Sequence, residues 1–335
     1  MKKYSCRKNQ SKVLRILLPV FIFVAAVCSG QGNGEYSNPV ISKNVPDPTV
    51  IKTPDGYFYL YATGRVTPVY KSENLVDWTF AGTAFTEETR PSFEPDGGIW
   101  APDINIIDGK YVLYYSMSVW GGEQTCGIGV AVGDSPGGPF TDRGKLFRSN
   151  EIGVQNSIDQ FYIEEDGKKY LFWGSFHGIF CVELENNGLA VKPGAEKRQI
   201  AGSAFEGTYI HKKDEYFYLF ASVGTCCEGV KSTYRLVVGR SKSLSGPYLD
   251  SSGKDMMDNG YSVVIASNER FTGNGHCSEI VQDDAGNDWI LYHGVDVTNP
   301  RGRMLLLDRI GWDEGKWPCT GNGTPSLTAS VPVFY

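Results

Sequence analysis

Five polar side chains stand ahead of five aromatic-rich segments of this chain: Asp47, Asp103, Asp159, Glu206 and His276. Each precedes the first residue of such a segment by 8–13 positions, and these first residues are Tyr59, Tyr111, Tyr170, Tyr218 and Trp289. Carboxyl groups brought together in pairs can perform glycoside hydrolysis. A protonated acid protonates the leaving oxygen while an ionised partner deprotonates water on the opposite face.

The aromatic segments predict the fold that would bring these groups together. Their first residues are 52, 59, 48 and 71 positions apart, and alternating apolar runs between Gly, Asp, Asn and Pro turns are typical of β-strands. A repeat of about 40–50 residues or more made of short strands indicates the blade of a β-propeller. We therefore expect an all-β, single-domain, five-bladed β-propeller over residues 37–335, with the five polar positions at its central channel.

The acids differ in their local sequence. Asp47 lies between two prolines, which deny it a continuous strand ladder, although Asp-Pro is also a common turn starter. Asp159 and Glu206 are flanked by apolar residues, and an unpaired carboxylate is costly to bury. Gly207, next to Glu206, would leave room for a substrate. We interpret Asp103 as a structural residue that locks its blade by hydrogen bonds.

A third carboxylate near the acid would raise its pKa by like-charge repulsion. An acid and a base facing each other across a channel would suit the gap of roughly 6.5–9.5 Å that inverting enzymes use. His276 could help to hold a hard cation whose shell is mostly water, or it could be structural. Trp100 could belong to the core or stack on a sugar ring.

The N-terminal residues predict export. Residues 1–28 combine a basic start with an apolar run of about a dozen residues, which is typical of a secretory signal peptide. Cys28 at its end indicates a lipoprotein signal, so residues 29–36 would form a tether to a lipid anchor in the periplasm or at the outer-membrane surface. Simple cleavage, giving a soluble secreted protein, is the alternative.

The formal net charge is −6 and aromatic residues make up 13% of the chain, without a basic cluster among them, so we expect no nucleic-acid partner. We expect a monomer. Six cysteines follow the predicted signal, at positions 126, 181, 226, 227, 277 and 319, without CxxC spacing. We interpret them as buried free thiols, since a disulfide between the neighbours Cys226 and Cys227 would be strained and rare.

Several of these segments resemble glycoside hydrolase family 43. The resemblance covers about residues 38–320 and includes NPV (38–40), PDP (46–48), IWAPD (99–103), NSID (156–159), FEG (205–207), GH (275–276) and WDEGKWP (312–318). Members of that family are five-bladed propellers that invert. The resemblance implies that Asp47 is the general base, Asp159 the pKa modulator and Glu206 the general acid.

Two further segments, FWGSF (172–176) and SVGTCCEG (222–229), resemble the endo-α-1,5-L-arabinanases of the family. That likeness implies arabinan or an arabino-oligosaccharide as substrate, and a calcium ion in the channel held through His276. Asn156 and Ser175, within the matching segments, are candidates for substrate contact. Trp120, in the unmatched segment 119–124, could add a sugar subsite or block one end of the cleft, so endo and exo action both stay open.

Three alternatives remain beside an endo-arabinanase. One is an exo-acting α-L-arabinofuranosidase of the same family, and another is a β-xylosidase of that family. The third is a propeller lectin that binds a glycan without cleaving it, which would have no reason to keep an acid, a base and a modulator.

Overall fold

The computed structural model describes residues 34–335, and nearly all of their regular structure is β. Five antiparallel sheets follow one another along the chain, and each is built mainly from four consecutive strands. This arrangement is the predicted five-bladed propeller. The predicted signal peptide and residues 29–33 of the predicted tether lie outside the described residues. Within residues 34–335, no helix is long and apolar enough to cross a bilayer.

A short strand opens the described chain, and two blades follow it. The strands are β1 (Glu35–Ser37); β2 (Thr49–Lys52), β3 (Phe58–Tyr61), β4 (Pro68–Ser72) and β5 (Thr79–Thr83) in blade 1; and β6 (Gly98–Ile107), β7 (Lys110–Ser118), β8 (Gly127–Gly133) and β9 (Thr141–Arg148) in blade 2. A single helical turn, α1 (Ser149–Ile152), leads to blade 3.

Three more blades complete the ring. The strands are β10 (Phe161–Glu165), β11 (Lys168–Trp173), β12 (Ile179–Glu183) and β13 (Arg198–Ala201) in blade 3; β14 (Glu206–Lys213), β15 (Tyr216–Val223), β16 (Arg235–Ser241) and β17 (Ser262–Ile265) in blade 4; and β18 (Phe271–Cys277), β19 (Val281–Gln282), β20 (Asp288–Asp296), β21 (Met304–Trp312) and β22 (Pro318–Thr320) in blade 5, before β23 (Thr328–Ser330). Short 3₁₀ turns lie at Gly229–Lys231 and Met256–Asp258.

Strand order explains the aromatic repeat. Each of the five aromatic segments is the second strand of its blade, namely β3, β7, β11, β15 and β20. A tight turn precedes each of these strands. At Asp108-Gly109 and Asp166-Gly167 both residues have positive φ, the backbone that two-residue hairpins with right-handed twist require.

The N-terminal segment closes the ring against the C-terminal blade. Strand β1 pairs with β23, and Asn38 exchanges two hydrogen bonds of 2.9 Å with the backbone of Leu307 in β21. Glu35 and Tyr36, the last two residues of the predicted tether, therefore belong to a strand.

Apolar side chains fill the spaces between the blades. Four buried clusters lie along the ring, and each combines residues from neighbouring blades. Because both faces of every sheet are covered, the inner strands hold their polar ends in a rigid frame.

Candidate active site

Each blade carries one residue with left-handed backbone near the channel end of its first strand. These residues are Asp47 (φ 53°), Ala101 (φ 41°), Asp159 (φ 60°), Gly207 (φ 63°) and His276 (φ 47°). The first and third precede β2 and β10, whereas the others lie in irregularities of β6, β14 and β18. Non-glycine residues in this conformation carry strain that often accumulates at functional sites.

In four of the five cases, the backbone N–H of this residue donates to a side chain in or just after the second strand of the preceding blade. The pairs are Ala101 to Thr63 Oγ1 (2.8 Å), Asp159 to Ser116 Oγ (3.0 Å), His276 to Ser222 Oγ (2.9 Å) and Asp47 to His293 Nδ1 (3.1 Å). The exception is Gly207, whose N–H donates to Oδ2 of Asp159 (3.1 Å). This ring of hydrogen bonds fixes the five positions relative to one another.

Asp47 is held by donors on both carboxylate oxygens. Nη1 of Arg303 donates to Oδ1 at 2.7 Å, and the hydroxyl of Thr63 donates to Oδ2 at 2.6 Å. Burial alone would raise the pKa of Asp47, but the guanidinium of Arg303 and the nearby imidazoles of His276 and His293 hold it well below its usual range. Asp47 is therefore ionised at neutral pH, as a general base must be.

Glu206 has a different environment. Its side chain is buried, and the hydroxyl of Ser175 donates to Oε2 at 2.6 Å. Burial raises the pKa of Glu206, although hydrogen bonding from Ser175 and Tyr234 opposes the shift. Asn156 in turn donates from Nδ2 to Ser175 Oγ at 2.9 Å. A carboxyl group with a raised pKa can act as a general acid.

Asp159 lies between the other two acids in the ring. Burial, followed by the charges of Glu206 and Asp47, raises the pKa of Asp159 well above its usual range. The backbone N–H of Gly207 partly offsets this effect. Because Asp159 and Glu206 are coupled, they titrate as a pair that retains a proton beyond the usual carboxyl range.

His276 points its Nδ1 at both carboxylates, 3.5 Å from Asp47 Oδ1 and 3.9 Å from Asp159 Oδ2. Burial lowers the pKa of His276, so its neutral imidazole offers a lone pair. No group of three or more His, Cys, Asp or Glu side chains among residues 34–335 could hold a metal ion.

All eight site residues predicted from the sequence line one cavity of about 360 Å³: Asp47, Trp100, Trp120, Asn156, Asp159, Ser175, Glu206 and His276. The rings of Trp100 and Trp120 lie 5.8 Å apart between centroids, and Trp120 is 82% exposed. Trp120 thus offers an aromatic face to a ligand, whereas Trp100 is half-buried. Asn156 and Ser175, by contrast, form a chain of hydrogen bonds to Glu206.

Asp103 lies deeper in its strand than the left-handed residue Ala101. It accepts a hydrogen bond of 2.7 Å from the N–H of Tyr162 in blade 3, so it joins neighbouring blades as the sequence analysis expects. Burial and the carboxyl group of Glu279 raise the pKa of Asp103 well above its usual range. Glu279 accepts from the N–H of Val50 at 2.8 Å.

Sequence reasoning missed four residues that shape the site: Thr63, Tyr234, His293 and Arg303. Thr63 and His293 occur within or just after aromatic segments, four positions after Tyr59 and Trp289, so the repeat itself contained their signal. Arg303 precedes β21 in a loop, and nothing in the repeat indicates it.

The interpretation of the cysteines needs correction. Cys226 and Cys227 form a disulfide with each other. Cys126, Cys181 and Cys277 are buried free thiols as expected, whereas the free thiol of Cys319 is exposed. The adjacent pair lies in a loop that lines the cavity.

Asp47, whose pKa is lowered, and Glu206, whose pKa is raised, face a single cavity on a rigid propeller. Water can be deprotonated by the first and a leaving oxygen protonated by the second. Together, the fold and the site define the class of a glycoside hydrolase, in which one carboxyl group protonates the leaving oxygen and another deprotonates water.

The comparisons agree with this class. The family model described as glycosyl hydrolases family 43 matches residues 36–318, and the chain belongs to that family. It is 36% identical to an extracellular exo-α-(1→5)-L-arabinofuranosidase of Cellvibrio japonicus, covering 82% of this chain and 86% of the relative. It is 35% identical to an extracellular endo-α-(1→5)-L-arabinanase of Bacillus subtilis, covering 81% and 86%.

Solved structures are similar as well. An α-L-arabinanase of Cellvibrio cellulosa in complex with arabinohexaose superposes with a TM-score of 0.77 at 32% identity, covering 83% of this chain and 96% of that chain. The predicted family and five-bladed fold are therefore confirmed.

Proposed function

We propose that this protein hydrolyses α-1,5 bonds between L-arabinofuranosyl units of arabinan with inversion at the anomeric carbon. The observation that carries the proposal is the opposite tuning of two carboxyl groups at one cavity, with the pKa of Asp47 lowered and that of Glu206 raised. The proposed substrate class comes from the relatives, whose names refer to the α-(1→5)-L-arabinofuranosyl linkage.

The site residues divide the reaction between them. Glu206 gives its proton to the glycosidic oxygen, and Asp47 accepts a proton from the attacking water. The new C–O bond forms on the face opposite the departing sugar, and each carboxyl group ends in the other's starting protonation state. Asp159 contributes negative charge, which keeps the proton on the Asp159–Glu206 pair until the leaving oxygen accepts it.

The alternatives have less support. A lectin would need neither the ionised nor the protonated carboxyl group. The named relatives include both an exo-acting and an endo-acting enzyme at nearly the same identity, so the site's chemistry is the same for either mode. The exposed Trp120 at the cavity mouth favours a subsite beyond the cleavage point, and hence endo action.

A product profile tests this proposal. Purified protein is incubated with linear arabinan, branched arabinan and xylan, and the products are separated by chromatography. We expect short arabino-oligosaccharides from linear arabinan, with less product from branched arabinan. Arabinose as the sole early product would show exo action instead of endo action. Release of sugar from xylan and not from arabinan would contradict arabinan as the substrate.

A divalent cation near His276, with calcium as the candidate, is a further part of the proposal. Support comes from the neutral imidazole that faces two carboxylates. Such an ion would add positive charge that favours the ionised carboxylates. Calcium titration by calorimetry should show binding to the chelator-treated protein, and His276→Ala should abolish it. Equal binding by the variant would place the ion elsewhere.

Export is also proposed. The basic and apolar N-terminal residues and the extracellular names of two relatives support it. Lipidation of Cys28 is the finer proposal, and mass spectrometry of the mature N-terminus tests it. A diacylglyceryl-modified cysteine is expected, whereas an unmodified N-terminus would indicate simple cleavage. A monomeric state stays a prediction.

A further inference from the structure

A disulfide between neighbouring residues borders the cavity on the side of the acid. Cys226 and Cys227 follow β15 in blade 4, the blade whose first strand begins at Glu206, and they line the cavity together with Glu206 and Phe176. The proton transfers described above do not use this disulfide. Cys226 is half-buried and Cys227 is exposed, so their sulfur atoms are accessible to a ligand in the cleft.

The loop that carries the disulfide is held in a fixed position. The carbonyl of Thr225 accepts from the N–H groups of Thr233 (3.1 Å) and Tyr234 (3.0 Å), which closes the base of the loop. The hydroxyl of Thr272 in blade 5 donates to the carbonyl of Ser232 at 2.8 Å. Tyr234 then reaches Glu206. The disulfide is thereby positioned relative to the acid.

A disulfide presents an unusual surface to a sugar. Its sulfur atoms are polarizable and lack the strong donors and acceptors of most polar side chains. The closed ring between adjacent residues also removes the rotamer freedom that a flexible side chain would lose on binding. These properties suit the C–H face of a furanose ring, where dispersion and water exclusion provide the contact energy.

The side of the cavity decides which sugar is contacted. The acid protonates the leaving oxygen, so the sugar unit that departs lies on the side of Glu206. We infer that the Cys226–Cys227 disulfide, together with Phe176, is the contact surface for the arabinofuranosyl unit on the leaving-group side of the cleaved bond. This inference rests on the proposed function and adds a specificity-determining element to it.

The test compares two variants. Cys226→Ser/Cys227→Ser removes the disulfide and introduces hydroxyls, while Cys319→Ser alters the exposed thiol in β22, outside the cavity. KM and kcat are measured with arabinohexaose, and melting temperature reports on the fold. We expect the double variant to raise KM about fivefold or more, the loss of roughly one well-buried apolar contact, with the control unchanged.

A measurement on the unaltered sequence covers the case in which the double variant folds poorly. Dithiothreitol reduces the disulfide, because its two thiols supply two electrons and two protons and become a cyclic disulfide. We expect KM to rise on reduction and to recover on reoxidation.

Hydrolysis of arabinohexaose with an unchanged KM in both the double variant and the reduced protein would overturn this inference and leave the proposed function intact. Alkylation of both cysteines in unreduced protein would also overturn it. Failure of the wild-type protein to hydrolyse any arabinan would contradict the proposed function and remove this inference with it.

Discussion

The hydroxyl of Ser175 donates to Glu206 at the one place where the ring of interblade hydrogen bonds departs from its common pattern. In the other four blades, a side chain at the corresponding end of the second strand accepts the N–H of the next blade's left-handed residue. In blade 3, the hydroxyl of Ser175 instead donates to Glu206, and the N–H of Gly207 in blade 4 donates to Asp159. Departure from the fivefold pattern thus creates the coupled pair of carboxyl groups.

Substitution of Ser175 by alanine removes a donor that stabilises ionised Glu206. We expect the pKa of Glu206 to rise, because hydrogen bonding from Ser175 lowers it. The basic limb of the kcat profile should then move to higher pH by about one unit, since a hydrogen bond to a charged group contributes roughly 1.5–3 kcal/mol.

The matched comparison is Ser118→Ala, which removes another buried hydroxyl of the cavity lining, one that donates to the carbonyl of Val119. That variant should leave the basic limb in place. A basic limb that does not move in Ser175→Ala would show that Ser175 is purely structural.

Conservative replacement of either proton-transfer group should abolish hydrolysis without unfolding the protein. Asp47→Asn keeps the shape that Thr63 and Arg303 contact, and Glu206→Gln keeps the contact with Ser175. Each should lower kcat on linear arabinan by about 10²–10⁴, with a melting temperature close to wild type. Substantial remaining activity in either variant would show that its role is wrongly assigned.

Arg303 controls the acidic limb of the pH profile. Its guanidinium lowers the pKa of Asp47, and the reaction needs Asp47 ionised. In Arg303→Gln, the pKa of Asp47 should rise, so the acidic limb of kcat/KM should move to higher pH by about 1–3 units. Arg301→Gln, an exposed neighbour, is the control. Coincident acidic limbs for Arg303→Gln and wild type would contradict this account.

The sequence predicted the repeat well because each aromatic segment has a single structural place, the buried second strand of a blade. The candidate acids were identified by their regular position ahead of these segments. Asp103 shows the limit of what the spacing between acid and aromatic segment can predict. It precedes Tyr111 by only 8 positions, whereas Asp47 precedes Tyr59 by 12. That difference places Asp103 beyond Ala101, away from the ring of left-handed residues.

Other features depend on contacts that no local pattern contains. Arg303 reaches Asp47 across 256 positions of sequence, from a loop without a repeated counterpart. The disulfide between Cys226 and Cys227 was also not predicted, because the prediction relied on the general rarity of disulfides between adjacent cysteines. Long-range ion pairs and loop conformations could be identified only in the folded structure.

Burial raises the pKa of both Asp103 and Glu279, and the charge of Glu279 raises the pKa of Asp103 further. Thr49 donates to Glu279 at 2.9 Å and Asn105 to Asp103 at 3.1 Å. The pKa of Asp103 lies well above its usual 3.8, so the folded protein binds a proton there more tightly than the unfolded chain. Its contribution to stability is present at low pH and is lost as pH rises from the unfolded pKa through the raised folded one.

Asp103→Asn removes this titration, while the amide can still accept from the N–H of Tyr162 and donate to Glu279. We expect the free energy of unfolding of the variant, relative to wild type, to increase between pH 5 and pH 8 by about 1 kcal/mol or more. Urea unfolding at the two pH values measures this difference. Asp134→Asn, on the exposed surface, should show little change. A difference for Asp103→Asn that stays constant across this range would mean that Asp103 is already ionised in the folded protein.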